Sequence, residues 1–555
     1  MKQTSPKRLE LDTEQLREIV RQTARRSLTD AEFELLQATT ETLIWLNAEL
    51  RLRGKRLYRM LFGPSSEKTS EVFGERPDGE QPEREQSPSS GDEVESHSDD
   101  TATSAGNGDD SEKRKGHGRR PATDYRGADK ICVPHETLEP GQRCPTCGQG
   151  KLYEQSVPAV LVRVTGQAPL AATVYECERL RCNLCGEVFT APAPPEAGEQ
   201  KYDETAAAMI ALLRYGSGLP HYRLSKLQHS LGIPLPASTQ WQVVDRAASA
   251  FEPVYDELVR HAAQGEVVHN DDTTMPVLAL TGKRRAREAP EDDPPERTGM
   301  FTTGIVSRLD GRHITVFFTG RQHAGENMTD VLRQRAADLG PPIHMCDGLD
   351  RNLPQQLVTI LANCLSHGRR HFVDVAENFP DECRHVLEEL ANIFHNDAHC
   401  RKHKLSDDER LAFHQEHSGP VMAELEAWLQ QKLDAHEVEP NSGLGQAFNY
   451  MLKRWDRLTL FLRKAGAPLE NNICERALKR AIVHRKNSLF YRSLRGAHVG
   501  DVIMSLIHTA AECGTDPFEY LVALQRHAAA AKQSPAEWLP WNYTETLGLA
   551  PDRAA

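Results

Sequence analysis

The sequence predicts an α/β core preceded by a coiled-coil helix and a small four-cysteine module. Three observations carry that expectation. Apolar, β-branched segments between residues 265 and 347 end in acidic side chains, leucines recur every seven residues near the N-terminus, and two C-x-x-C pairs stand 34 residues apart. At 555 residues the chain is too long for one core and must divide into domains. The divisions fall as an N-terminal helix (1–65), an acidic linker (66–118), the cysteine module (119–200), a helical region (201–262), an α/β domain (263–515) and a helical tail (516–555).

In the first segment Leu36, Leu43, Leu50 and Leu57 mark the seam of a coiled coil, although Thr40, Asn47 and Gly54 hold the alternate positions. This seam predicts a homo-oligomer, a dimer or larger. Between Ser70 and Gly116 only Val72, Phe73 and Val94 are large and apolar, too few for a core, so the stretch reads as a disordered tether. Residues 66–116 also hold 15 acidic against 6 basic side chains, which accounts for most of the chain's net charge of −13. Lys464 to Arg495 is the reverse, with 8 basic side chains against Glu470 and Glu475. The basic surface a polyanion needs is therefore present despite the acidic total.

Cys144-Pro-Thr-Cys147-Gly and Cys182-Asn-Leu-Cys185-Gly each set two thiolates on a tight turn. Four thiolates at this spacing predict a closed, structural Zn2+ site of the zinc-ribbon kind. The alternating segments Val160–Val164 and Thr173–Arg181 predict its small sheet. Next, His221–Leu231 and Ser238–Leu258 predict two helices about a turn through Gly232 and Pro236, with Ser238 as N-cap. The pair suits a helix-turn-helix with Thr239, Gln240 and Gln242 facing a DNA groove, and equally a plain helical hairpin.

Gly265–Val277 reads as a strand delivering Asp271 and Asp272. Met300–Val306 and His313–Gly320 form the next two around Asp310-Gly311, Glu326–Leu339 is helical, and Ile343–Cys346 is a strand ending on Asp347. A β-β-β-α-β order with acids after its first and fourth strands is what an RNase H-like nuclease shows. Two hard oxygen ligands on adjacent strand ends suit Mg2+ or Mn2+.

The sequence also resembles the insertion sequence 66 family of transposases, TnpC type. The resemblance rests on Asp271-Asp272-Thr273, on Cys364-Leu365-Ser366-His367 with Arg369-Arg370, and on Glu470-Asn471-Asn472-Ile473-Cys474-Glu475-Arg476-Ala477-Leu478, in that order. Leu61-Phe62-Gly63, Ser66-Glu67-Lys68 and Leu539-Pro540-Trp541-Asn542-Tyr543 extend it over nearly the whole chain. Leu365 and the added residue in Thr274-Met275-Pro276 depart from the family's usual pattern. The resemblance implies an RNase H-like fold, a helical insertion before the last acid, at about 375–465, and catalysis by Asp271, Asp347 and Glu475 holding Mg2+. It leaves Asp272 as an alternative first ligand. Glu475 is preferred to Glu470 because Asn471 or Asn472 caps a helix whose buried stripe is Ile473, Ala477, Leu478 and Ala481, placing Glu475 in the first turn. His367, Arg369, Arg370, Arg476, Lys479, Arg485 and Lys486 are candidates for DNA contact.

The expected function is transposition: binding of terminal inverted repeats, metal-dependent phosphodiester hydrolysis and joining of the freed 3′-hydroxyl to target DNA. The alternatives are a zinc-bearing DNA-binding protein that does not cut and an RNase H-like nuclease that does not join. Expected partners are element ends, target DNA and small accessory proteins of the same element. No apolar run approaches the ~20 residues that span a bilayer, and no signal peptide is evident, so a soluble, cytoplasmic protein is expected; the resemblance implies a bacterial one, nucleoid-associated when on DNA.

Overall fold

In the computed structural model, residues 168–181, 188–290 and 296–548 are described, together with Thr29, Thr137, 139–143 and 151–152. The zipper segment, the acidic linker and Cys144, Cys147, Cys182 and Cys185 lie outside the described residues. The described residues divide into two compact units, the smaller ending at Pro169 and the larger taking up the chain from Leu170. In the smaller, Arg143 and Lys151 make an antiparallel bridge. In the larger, β1 (Arg179–Arg181) pairs antiparallel with β2 (Val188–Thr190).

Helices α1 (Glu204–Ala211), α2 (His221–Ser230) and α3 (Ala237–Ala262) follow. The helix pair forms where the sequence predicts it, but two details differ. The N-cap of α3 is Pro236, with no side-chain cap, and Ser238 is already helical. Gln240 faces no groove: it is fully buried and donates to the carbonyls of His221 and Leu235 at 3.0 Å each, tying the two helices together. A buried amide must use its hydrogen bonds locally.

The sheet is built from β3 (Val267–Thr274), β4 (Phe301–Leu309), β5 (Arg312–Gly320), β6 (Ile343–Cys346) and β7 (Ile360–Asn363), in the order β5-β4-β3-β6-β7. The first three are antiparallel, and β6 and β7 run parallel to β3. This mixed five-stranded sheet is compatible with an RNase H-like core. Strand β7 is an addition to the sequence reading, and α4 (Ala324–Leu332) stops earlier than the predicted Leu339. Alternation along β3 sends Val268 into one hydrophobic cluster with α3 and Val267 into another with the insertion helices. Each such buried side chain contributes roughly 1.5–3 kcal/mol.

After β7 come α5 (Leu365–Val375), α6 (Pro380–Lys402), α7 (Asp407–His417), α8 (Gly419–Asp434) and α9 (Gly443–Lys453), the helical insertion. The chain then returns through α10 (Asn472–Ser488) to α11 (Leu494–Glu512) and α12 (Pro517–Arg526). Tyr520, Leu521, Leu524, Trp538 and Leu539 of the C-terminal segment join the core cluster of α3. No helix among the described residues is long and apolar enough to cross a membrane.

The outer edge of β5 would expose unpaired backbone groups. Asp501, Ser505 and Thr509, one turn apart on α11, accept from the N–H groups of Thr319 (2.7 Å), Phe317 (2.9 Å) and Thr315 (3.0 Å). Burial pushes the Asp501 carboxyl up to about 7, although both bonds from Thr319 oppose the rise. A folded pKa above the unfolded one means that the stabilisation is complete below about 3.8 and is lost as pH climbs through about 7. Asp501→Asn can keep both contacts with Thr319 and should abolish that loss relative to the parent across this window. Asp501→Ala strands the Thr319 N–H and should cost about 1–3 kcal/mol. Urea melts of the three proteins from pH 4 to pH 8 check both expectations.

Candidate active site

Adjacent residues of a strand point to opposite faces, and this separates the two acids of β3. Asp272 is enclosed: its Oδ2 lies 2.9 Å from His323 Nδ1 and its Oδ1 3.5 Å from Arg351, with only 2 % of its side chain exposed. Asp271 shares its face with His269, which meets Asn471 at the start of α10 (Nδ1 to Oδ1, 3.0 Å).

That helix is held to β3 along its length. Asn471 Nδ2 donates to the Asn270 carbonyl at 3.0 Å, Cys474 Sγ to the Gly304 carbonyl at 3.3 Å, and Arg485 to Thr273 Oγ1 at 3.0 Å and to the Thr274 carbonyl. Tyr491, just past the helix, donates to the Pro276 carbonyl at 2.9 Å. Gly304 lies opposite Asp271 in the ladder, and a Cβ there would come within 3.1 Å of Leu478, so its missing side chain permits the close approach. Asn471 is the N-cap residue, as the sequence suggests, but its side chain binds the strand and does not cap the helix. Glu475 sits in the first turn. The buried stripe is Cys474, Ala477, Leu478, Ala481 and His484, with Ile473 only partly buried.

Asp347 follows β6 and its Oδ1 accepts from Asn352 Nδ2 (2.7 Å) and from the Leu349 N–H (3.0 Å). Burial pushes the Asp271 carboxyl up to about 7, and the charges of Asp347, Asp272 and Glu475 add to the rise against the bond from the Asp272 N–H. The charges of Asp347, after β6, and of Glu475, on α10, thus both reach Asp271, although the three acids are not a group of donors within 4.8 Å of one another. Glu470 stays outside the helix and accepts from Ser366 Oγ at 2.8 Å.

The Cys364 motif is zipped onto the approach to α10. The Leu365 N–H donates to the Leu469 carbonyl at 2.9 Å, and the Asn471 N–H to Cys364 Sγ at 3.2 Å. This brings His367 Nδ1 to 3.8 Å from Glu475 Oε1. Among the described residues, Cys364, His367 and Glu475 form the one group of three potential ligands whose donor atoms all lie within 4.8 Å. Burial pushes the Cys364 thiol up to about 12, so it stays protonated and serves the backbone.

For Mg2+ or Mn2+ the hard oxygens of Asp271, Asp347 and Glu475 are the fitting donors. Burial, and after it the neighbouring carboxylates, raises the Asp271 carboxyl, and a bound cation would favour its charged form. Buried Asn352 Oδ1, Asn363 Oδ1 and His367 Nδ1 have no hydrogen-bond partner among the described residues. Of the basic candidates, Arg370, Arg476, Lys479 and Lys486 are exposed, Arg369 is half-buried, and Arg485 is spent on β3. No ion pair joins Glu475 to Lys479 among the described residues. Sequence reasoning missed Asn352, which steadies Asp347, and Tyr450, whose hydroxyl donates to the Asp347 carbonyl at 2.8 Å. Neither lies in a motif that signals its partner.

The mixed sheet with α10 docked on it is compatible with the core of an RNase H-like protein. Residues 200–499 match the pattern of the transposase IS66 family, more than half of the chain, and the chain belongs to that family. It is also similar to the uncharacterized protein y4jD of Sinorhizobium fredii (strain NBRC 101917 / NGR234), 28% identical over 428 residues covering 73% of this chain and 79% of that protein. The uncharacterized protein y4hP of the same organism is 27% identical over 428 residues, covering 73% and 74%.

Asn471→Ala should leave the Asn270 carbonyl and His269 Nδ1 buried without partners. We expect a loss of about 1–3 kcal/mol for each group so stranded. Denaturant unfolding of the variant against its parent measures it.

Proposed function

We propose that the protein binds the terminal inverted repeats of its mobile element, hydrolyses a phosphodiester there and joins the freed 3′-hydroxyl to target DNA. The observation that supports this most is the docking of α10 on β3, with Glu475 in its first turn and Asp271 on the strand face it meets. Membership of the transposase family supplies the substrate class.

In this reading Asp271, Asp347 and Glu475 hold Mg2+ or Mn2+. Divalent ions bound there would activate water or a 3′-hydroxyl and stabilise the leaving oxygen. Asn352 orients Asp347, Asn471 fixes the strand beneath Asp271, and His367 borders Glu475. Exposed Arg370, Arg476, Lys479 and Lys486 offer charge for backbone phosphates. Cys144, Cys147, Cys182 and Cys185 hold structural Zn2+, a reading supported by the antiparallel pairings Arg143–Lys151 and β1–β2 that flank the two pairs in sequence. The N-terminal zipper would join two copies so that two DNA ends can be handled together. Accessory proteins of the same element would act with them.

The test is incubation of labelled end DNA with protein and Mg2+. The parent should give both nicked and joined products. Glu475→Gln keeps size but loses the charge, so it should still bind the ends while both products fall at least about a hundredfold. Glu470→Gln should remain active. Activity in Glu475→Gln with loss in Glu470→Gln would move the third acid by one turn and a loop. A parent that binds ends yet yields neither product in Mg2+ or Mn2+ would leave a DNA-binding protein that does not cut.

A further inference from the structure

A cavity of about 460 Å3 opens on the helical insertion beside Asp347, within the ~300–1,000 Å3 range of small-ligand sites. It is lined by His371 from α5 and by Gln446, Asn449, Tyr450, Lys453 and Arg454 from α9 and its end. Two links connect it to the acids. The Tyr450 hydroxyl holds the Asp347 carbonyl at 2.8 Å, and His371 lies one helical turn beyond His367, the neighbour of Glu475.

The lining has a distinct chemistry. The Arg454 guanidinium lies 4.3 Å from the Tyr450 ring centroid, and the His371 ring centroid lies 4.3 Å from Tyr450 on a tilt of 41°. This makes a stack of three flat groups that ends on exposed His371. Neither Lys453 nor Arg454 forms an ion pair among the described residues, so two positive charges face the cavity uncompensated. Gln446 and Asn449 each give their amide nitrogen to a main-chain carbonyl, of Asn441 (3.0 Å) and Gly445 (2.9 Å). Their amide oxygens remain as acceptors on the lining. Flat stacking surfaces, unneutralised cations and hydrogen-bond acceptors together suit one chemical unit, a nucleobase on a phosphate backbone.

We propose that this cavity receives one nucleotide of the DNA strand next to the scissile phosphate, its base turned out of the duplex onto the His371–Tyr450–Arg454 stack and its phosphate on Lys453. The inference rests on the DNA-cutting reading above. A base reaches such a stack only after leaving its neighbours, which costs a few kcal/mol that stacking and charge must offset. The link from Tyr450 to the Asp347 main chain then makes seating of the nucleotide a way to align the acid with the bond to be cut.

The test uses the full-length protein and end DNA carrying 5-iodouracil at successive positions around the cleavage site. One position should photocrosslink to peptide 365–375 or 443–453, and a thymine placed there should become reactive to permanganate on binding. His371→Ala and Lys453→Glu alter exposed side chains, and each should lower that crosslink roughly tenfold. If the parent nicks end DNA but every crosslink maps elsewhere, or both variants crosslink like the parent, the cavity is not a nucleotide site. If the parent does not nick at all, the DNA-cutting reading fails and this inference fails with it.

Discussion

A strand turns neighbouring side chains to opposite faces, so a helix docked on one face of β3 can meet Asp271 or Asp272 but not both. The contacts of α10 choose. Asn471 reaches His269 and the Asn270 carbonyl, Arg485 reaches Thr273, and Tyr491 reaches Pro276, which pins the helix along the strand at three heights. Glu475 is carried by that docking, and Asp272 is left to His323 and Arg351 on the far side. The absent side chain of Gly304 is part of the same constraint, since bulk there would push Leu478 and the helix outward.

The cost of the arrangement is visible in the same contacts. Asp271 is driven towards neutrality by burial and by three nearby carboxylates, and Asn352 Oδ1, Asn363 Oδ1 and His367 Nδ1 are buried without hydrogen-bond partners among the described residues. Away from the acids, α11 accepts from three alternate, outward N–H groups of the edge strand, and Gln240 closes the turn between α2 and α3.

Much of the sheet was legible in the sequence because period-two apolar segments and the Asp310-Gly311 turn are local signals. Strands β3 to β6 fall where those signals put them. Strand β7 was missed because Ile360–Asn363 is short and follows a loop, and its place is set by pairing with β6. The pairing of α2 with α3 was legible, but the use of Gln240 as their fastener was not, since an amide on a helix reads the same whether it faces solvent or a neighbour's carbonyl. Likewise Asp271 and Asp272 are indistinguishable until a helix is laid against one face. Tyr450 lies far from any motif, and only the folding back of the insertion brings it to Asp347.

The central claim is that Asp271, Asp347 and Glu475, distant in sequence, hold divalent cations together. Iron(II) in place of Mg2+, with ascorbate and peroxide, cleaves protein backbone within reach of the bound ion and so reports where the ion sits. Fragments should end near residues 271, 347 and 475 together, and excess Mg2+ should suppress all three. Cleavage that spares the neighbourhoods of 271 and 347, or that Mg2+ does not suppress, would contradict the account.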